Sequence, residues 1–296
     1  MSNNNLDFEL MARIIKEPRL RKEAARRNHM MFFAIYFPHY LKYPTAPFQK
    51  RIFALSEDEK IKILEIMAFR YSAKSTIMNF SYPVWAIVGT QQKKFVVIMS
   101  QTRDQARQHL VNIKKELESN DLLKSDLGPF EVQDDQWGAC ALSLPWYDAK
   151  IMAISVGQTI RGLRHKQYRP DLIICDDIED LASVKTQENR DKTYKILTGE
   201  VFPAGEKNTR LVILGNALHE DSALMRIRSG IKNGLLNGYC LFVPLISEEN
   251  KIAWPGRYPD MKSIEEEKRN IGNEIDWQRE YMLKILPAEG QVIHLD

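Results

Sequence analysis

The chain has 296 residues, 44% hydrophobic and 27% charged, which suits one large globular domain or two modest ones and excludes a disordered or fibrous protein. A net charge of +3 makes no case by itself for a nucleic-acid partner, and the three scattered cysteines (Cys140, Cys175, Cys240) contain no CxxC pair, against a zinc cluster or a disulfide framework. The longest aromatic and aliphatic run, residues 30–37, is too short to span a bilayer, and the polar first ten residues carry no secretory segment, so a reducing cytoplasm fits.

Residues 6–28 read as a helix, with Leu6, Leu10, Ile14 and Ile15 at helical spacing and Pro18 splitting it or marking a turn. Pro38, Pro44 and Pro47 then punctuate an irregular stretch ending at Phe48-Gln49. From there strands and helices alternate. Residues 61–67 predict a buried strand; residues 75–88 predict a helix kinked or ended at Pro83; residues 95–100 (FVVIMS) predict a second strand, followed by a helix over 103–118. Residues 126–145 read as an insertion or hairpin, and 149–156, 172–175 and 211–215 as three further strands. Residues 263–285 predict one charged amphipathic helix bearing Trp277 and Tyr281 as a packing stripe. Short apolar runs alternating with helices argue for an α/β protein with a mainly parallel central sheet covered on both faces.

Between the first strand and the next helix lies Ala68-Phe69-Arg70-Tyr71-Ser72-Ala73-Lys74-Ser75-Thr76. The segment has the spacing of a phosphate-binding loop, with alanine in place of both glycines. In such a loop, backbone N–H groups and a helix N-terminus hold phosphates, the lysine reaches the β/γ oxygens and the serine hydroxyl ligates Mg²⁺. Alanine is tolerable there only if φ stays negative or about 1 kcal/mol of strain is accepted. A second signal is Leu172-Ile173-Ile174-Cys175-Asp176-Asp177-Ile178-Glu179: an apolar strand ending in acids at the edge where open α/β sheets bind ligands. Asp176 is the candidate magnesium acid, and Asp177 or Glu179 the group that polarises water. Cys175, inside that apolar run, reads as a small buried residue. Gly215-Asn216, ending a further strand, is a candidate γ-phosphate sensor or a plain turn. Two basic clusters stand out, Arg161, Arg164, Lys166 and Arg169, and Arg19, Arg21, Lys22, Arg26 and Arg27 against Glu23. Each reads as a solvated face or as a contact for an anionic partner.

Together these segments resemble the tailed-phage large terminase. The resemblance rests on the Ala68–Thr76 loop with its arginine, on Gln158-Thr159-Ile160-Arg161-Gly162-Leu163-Arg164, on Arg169-Pro170-Asp171 leading into the acidic strand, and on Leu214-Gly215-Asn216-Ala217-Leu218-His219-Glu220-Asp221. Phe37-Pro38-His39-Tyr40 and Ala46-Pro47-Phe48-Gln49 are similar to the family's adenine-side segment. The resemblance implies an ASCE-type P-loop NTPase with a small helical lid subdomain, using ATP and Mg²⁺ to translocate double-stranded DNA into a procapsid. It implies a homo-oligomeric ring on the portal protein, a small terminase subunit as partner, the host cytoplasm as location, and no membrane. By position, Ala68, Arg70, Tyr71, Ser72, Ala73, Lys74, Ser75 and Thr76 form the nucleotide loop, with Arg70 also near γ-phosphate charge. Ser75 and Asp176 hold the metal, Gln49 reads adenine, Gly215-Asn216-Ala217 couples hydrolysis to motion, and Arg161 or Arg164 meets a neighbouring subunit or DNA. Two departures are the missing loop glycines and Asp177 where many such motors carry glutamate, which leaves Asp177 and Glu179 both open as the catalytic acid. The implied organisation is an N-terminal helical segment over residues 1–47, an ATPase core over 48–250, lid helices over 251–286, and over 287–296 the start of a linker to a nuclease half that is expected to be missing. The alternative is a helicase-like or other DNA-remodelling P-loop ATPase.

Overall fold

The computed structural model describes residues 12–130 and 137–286. Seven strands form one sheet in the order β3-β4-β2-β5-β6-β1-β7. In chain order they are β1 (Ile63–Ala68), β2 (Phe95–Ser100), β3 (Ala141–Leu144), β4 (Ala149–Ser155), β5 (Leu172–Asp176), β6 (Arg210–Gly215) and β7 (Gly238–Val243). All neighbours are parallel except β3, which runs antiparallel to β4 and closes one edge. The parallel strands β2, β5 and β6 are buried at every residue, which is why they read as unbroken apolar runs and not as alternations. Every strand but β3 divides its side chains between two cores: Leu64, Ile66 and Ala68 of β1 face the larger one, and Met67 the smaller.

The larger core is aromatic and is built with the N-terminal helices. Phe32, Phe33 and Phe37 pack edge-on in a cluster that also takes in Phe53 and Phe80. The helix expected over 6–28 breaks before Pro18: Pro18–Arg27 starts with the proline in its first turn, where a missing N–H costs nothing. A separate helix, His29–Tyr36, follows, capped by the Asn28 side chain accepting from the Met31 amide. Residues before 12 and after 286, including the expected linker, lie outside the described residues.

Two further expectations change. Residues 75–88 are not one α-helix: Thr76–Ser81 is a π-helical turn, and an α-helix, Tyr82–Val88, takes over with Pro83 in its first turn. Residues 263–285 form two helices, Met261–Ile271 and Glu274–Glu280, separated at Gly272, whose φ of 66° ends the first in a left-handed cap. Tyr281 lies just past the second helix, yet its ring stacks on Trp277 at 4.6 Å, so the aromatic pair survives the break. The 126–145 stretch holds β3, whose antiparallel pairing with β4 makes the hairpin reading correct at its C-terminal end. Strand β7 and the helices Gln187–Ile196 and Ala223–Lys232 are additional to the expected elements. Among the described residues, no helix is long and apolar enough to cross a membrane.

Candidate active site

Strand β6 separates β1 from β5, so the phosphate-type loop after β1 and the acids after β5 both emerge at the carboxyl edge, with the end of β6 between them. The loop is strained where glycine is lacking: Ala73 has φ 67° and Tyr71 φ 65°, left-handed values that cost an L-residue roughly 1–2 kcal/mol. Alanine at 73 is therefore the strained case, not the relaxed one. Three contacts hold the loop in that shape. The Ser72 amide donates to the Phe69 carbonyl (3.1 Å), the Arg70 amide to the Glu280 carbonyl (2.7 Å), and the Gln49 amide nitrogen to the Ser72 carbonyl (3.0 Å).

Lys74 is buried, and its ammonium donates to the Ala68 carbonyl (3.1 Å) and to Asn216 Oδ1 (2.9 Å). Asn216 in turn donates to Glu280 Oε2 at 2.6 Å, and Arg279 pairs with the other oxygen of Glu280 at 3.3 Å. One polar chain thus runs from the loop lysine through the end of β6 to the C-terminal helix. Gly215, just before Asn216, packs against Leu224, whose side chain would have to shift for a Cβ there, 2.4 Å from its Cδ2; Ala217, just after, is buried.

Asp176, the last residue of β5, is 1% exposed. Its Oδ1 accepts from Ser75 Oγ (3.2 Å) and its Oδ2 from Asn79 Nδ2 (2.9 Å), while His109 Nε2 lies 3.7 Å from Oδ2. Neither Asn79 nor His109 stands out in the sequence. Asn79 reaches the carboxylate from the π-helical turn, and His109 from the helix Arg103–Ser119. The next residue, Asp177, has φ 47° and turns to the open side; the protein around it and the charge of Asp176 raise its pKa, with Lys74, His109 and Arg70 pulling the other way. Glu179 is buried, and both its oxygens are taken by backbone amides at the start of the helix Ala223–Lys232, Ala223 at 2.7 Å and Leu224 at 3.1 Å. Burial raises its pKa and those amides oppose the rise.

These groups surround a cavity of about 570 Å³ whose lining includes Arg70, Lys74, Ser75, Asp177, Glu179 and Asn216. Lys74 and Asp177 thus reach one cavity from separate strands, and Ser75 on its wall bonds the buried Asp176 behind it. A second cavity, about 270 Å³, lies beyond the loop and is lined by Tyr40, Tyr43, Gln49, Thr76, Trp254 and Arg257, with Tyr71 bordering both. Arg257 sits 4.9 Å over the Tyr71 ring and 5.9 Å over Trp254. The Gln49 side chain is spent on the protein itself, since its Oε1 accepts from the Ala46 amide at 2.9 Å. Arg161 and Arg164 lie exposed between β4 and β5; Arg161 bonds the Gly199 carbonyl, and neither lines the two cavities.

The oxygen set also suits a hard cation. Ser75 and Asp176 offer two oxygens beside a polar cavity, and a second buried oxygen, Asn79 Oδ1, has no hydrogen-bond partner among the described residues. Mg²⁺ binds in this way, through one or two protein oxygens with water and phosphate completing the octahedron. No group of three or more His, Cys, Asp or Glu side chains among the described residues makes a dedicated metal cage.

The fold is of the P-loop type, a mainly parallel seven-stranded sheet with helices on both faces and two short helices at the C-terminal end of the described chain. No protein-family model and no curated protein sequence matches the chain. Among solved structures, it is similar to the HK97 bacteriophage large terminase (TM-score 0.56, 14% identity, 81% of this chain and 50% of that one). It is also similar to the large terminase of a thermophilic bacteriophage in complex with ADP (TM-score 0.54, 11% identity, 82% and 54%). The ATPase domain of the Thermus phage P74-26 large terminase, in mutant form, matches with TM-score 0.50 and 14% identity over 79% of this chain and 93% of that one. The chain spans about half the length of the first two.

Proposed function

We propose that the chain is a Mg²⁺-dependent ATPase and acts as the motor of a terminase-type DNA-packaging machine, driving double-stranded DNA into a procapsid. The observation that carries the reading is that Lys74 and Ser75 line one cavity, with Asp176 bonded to Ser75 directly behind it. The ADP in the thermophilic-phage large terminase supports nucleotide as the ligand of this fold.

In this reading the loop amides and the Lys74 ammonium bind the phosphates, and Lys74 exchanges its bond to Asn216 for one to a phosphate oxygen. Ser75 and Asp176 would hold the ion, which would supply neutralisation of phosphate charge. Asp177, on the open side and with a raised pKa, orients the attacking water and accepts its proton. Glu179 is the weaker choice for that role, because two amides already occupy its carboxylate. Asn216, released from Lys74 but still bonded to Glu280, carries the change to the C-terminal helix. Arg70 stabilises γ-phosphate charge, Gln49 braces the loop beside the aromatic cavity, and that cavity accepts the adenine. Portal protein, a small terminase subunit, a homo-oligomeric ring and the host cytoplasm complete the proposal.

The test is phosphate release from ATP. Turnover is expected with Mg²⁺ and abolished by EDTA. No release, and no calorimetric binding of ATP at millimolar concentration, would overturn the ATPase reading.

A further inference from the structure

A third concave site lies away from these two cavities, at the β3 edge of the sheet. It is a notch of about 390 Å³ between the helix Pro18–Arg27 and the Pro145–Tyr147 turn. Arg19, Lys22 and Arg26 line one wall. They stand at i, i+3 and i+7, so they form one stripe spanning roughly 10 Å at 1.5 Å rise per residue. None of the three has a carboxylate partner among the described residues, whereas the other charges of the segment are neutralised. Arg21 is buried in a two-pronged bond to Asp126 (2.6 and 2.8 Å), Tyr36 donates to the same carboxylate at 3.0 Å, and Glu23 pairs with Arg27. The opposite wall carries Trp146, 74% exposed, while Trp85, Trp254 and Trp277 are each 6% exposed or less. The walls are fixed to each other: Arg21 ties the helix to Asp126, and the Tyr147 hydroxyl donates to the Leu127 carbonyl. The notch thus sets an exposed indole across from three cations that have no carboxylate partner among the described residues.

We propose that this notch binds single-stranded DNA, with successive phosphates along Arg19, Lys22 and Arg26 and one base stacked on Trp146. A groove of cations that tracks a backbone beside an aromatic platform is the arrangement by which proteins hold unpaired strands. A duplex matches it less well, because its base faces are already stacked on one another and offer the indole no free plane. The proposal stands apart from the ATPase reading and needs no nucleotide.

The test uses the full chain without ATP and follows tryptophan fluorescence during titration with oligothymidylate of about twelve nucleotides. Binding is expected to quench emission, and Trp146→Phe to remove most of that quench. Trp146→Ala is expected to weaken affinity roughly tenfold by anisotropy with a labelled strand. The triple change Arg19→Gln, Lys22→Gln, Arg26→Gln is expected to lower the slope of log affinity against log salt by about 2, at roughly 0.7 per phosphate lost. Unchanged circular dichroism establishes that the variants fold. Equal or tighter binding of a duplex of the same length, or affinity and salt slope unmoved in the variants, would overturn the proposal.

Discussion

Strand β6 carries a demanding polar group at each end, and the two ends behave differently. At its start, Arg210 is 1% exposed and donates to the Ser56 carbonyl (2.7 Å), the Leu55 carbonyl (2.5 Å) and the Tyr82 hydroxyl (3.1 Å). Those carbonyls close the helix Pro47–Glu57, so the guanidinium neutralises a helix C-terminus and seals the sheet's lower edge. Gln91 joins the same network, donating to the Ser56 carbonyl at 2.9 Å, so this end is closed by the protein's own hydrogen bonds. At the other end, Asn216 bridges Lys74 and Glu280 beside a cavity, flanked by three left-handed non-glycine residues, Tyr71, Ala73 and Asp177. Polar burial alone does not mark function. Polar burial beside strain and open space leaves room for a ligand.

The largest expected contrast separates those two ends. Lys74→Ala should lower ATP turnover at least about 100-fold while leaving the melting temperature within about 3 °C, since an ammonium that meets transition-state charge is removed from a site with little packing. Wild-type turnover in this variant would break the comparison. Within the site, Asp177→Asn should cost roughly 100-fold in turnover with nucleotide affinity retained. Glu179→Gln should chiefly destabilise, by about 1 kcal/mol, because it loosens a helix start. Steady-state kinetics and denaturant melts on the pair would distinguish the two acids. At the other end of β6, Arg210→Met should remove about 2 kcal/mol of stability by deleting the buried guanidinium's hydrogen bonds to the Leu55 and Ser56 carbonyls and the Tyr82 hydroxyl, with turnover per folded molecule unchanged.

A subtler test concerns Glu65, in the middle of β1, which is 0% exposed with neither oxygen hydrogen-bonded among the described residues. Burial raises its pKa to about 7, with the Cys240 thiol and Arg228 too weak to offset it. The folded state therefore keeps a proton that the unfolded chain gives up above its ordinary value of 4.5. Stability from this group must fall as pH rises from 4.5 to about 7 and then level off. Glu65→Gln should flatten that slope and gain on the order of 2–3 kcal/mol at pH 8. An unchanged slope by denaturant melts across that window would contradict the buried-acid account. The smallest expected effect is Ala73→Gly, which relieves a left-handed φ and should stabilise by at most about 1 kcal/mol, measurable by chemical denaturation.

What the residues disclosed in advance follows the same physics. β2, β5 and β6 were legible because strands buried on both faces leave unbroken apolar runs. β7 was not, because every residue of this edge strand is half-exposed and its GYCLFV run opens with glycine. The π-helical turn has no periodicity of its own, and Gly272 inside a charged stretch gave no stronger signal than any helical glycine. In the site, Lys74, Ser75 and Asp176 were readable from local spacing. Asn79, His109 and Glu280 were not, since the turn and two helices that carry them meet the site only through tertiary packing.

The most direct test of the central claim is a structure determined with Mg²⁺ and a non-hydrolysable ATP analogue. The account predicts Lys74 Nζ on a β- or γ-phosphate oxygen and away from Asn216, the ion on Ser75 Oγ with Asp176 in its shell, and Asp177 facing the γ-phosphorus. A triphosphate bound elsewhere, or a lysine still bonded to Asn216 with nucleotide in the cavity, would contradict it.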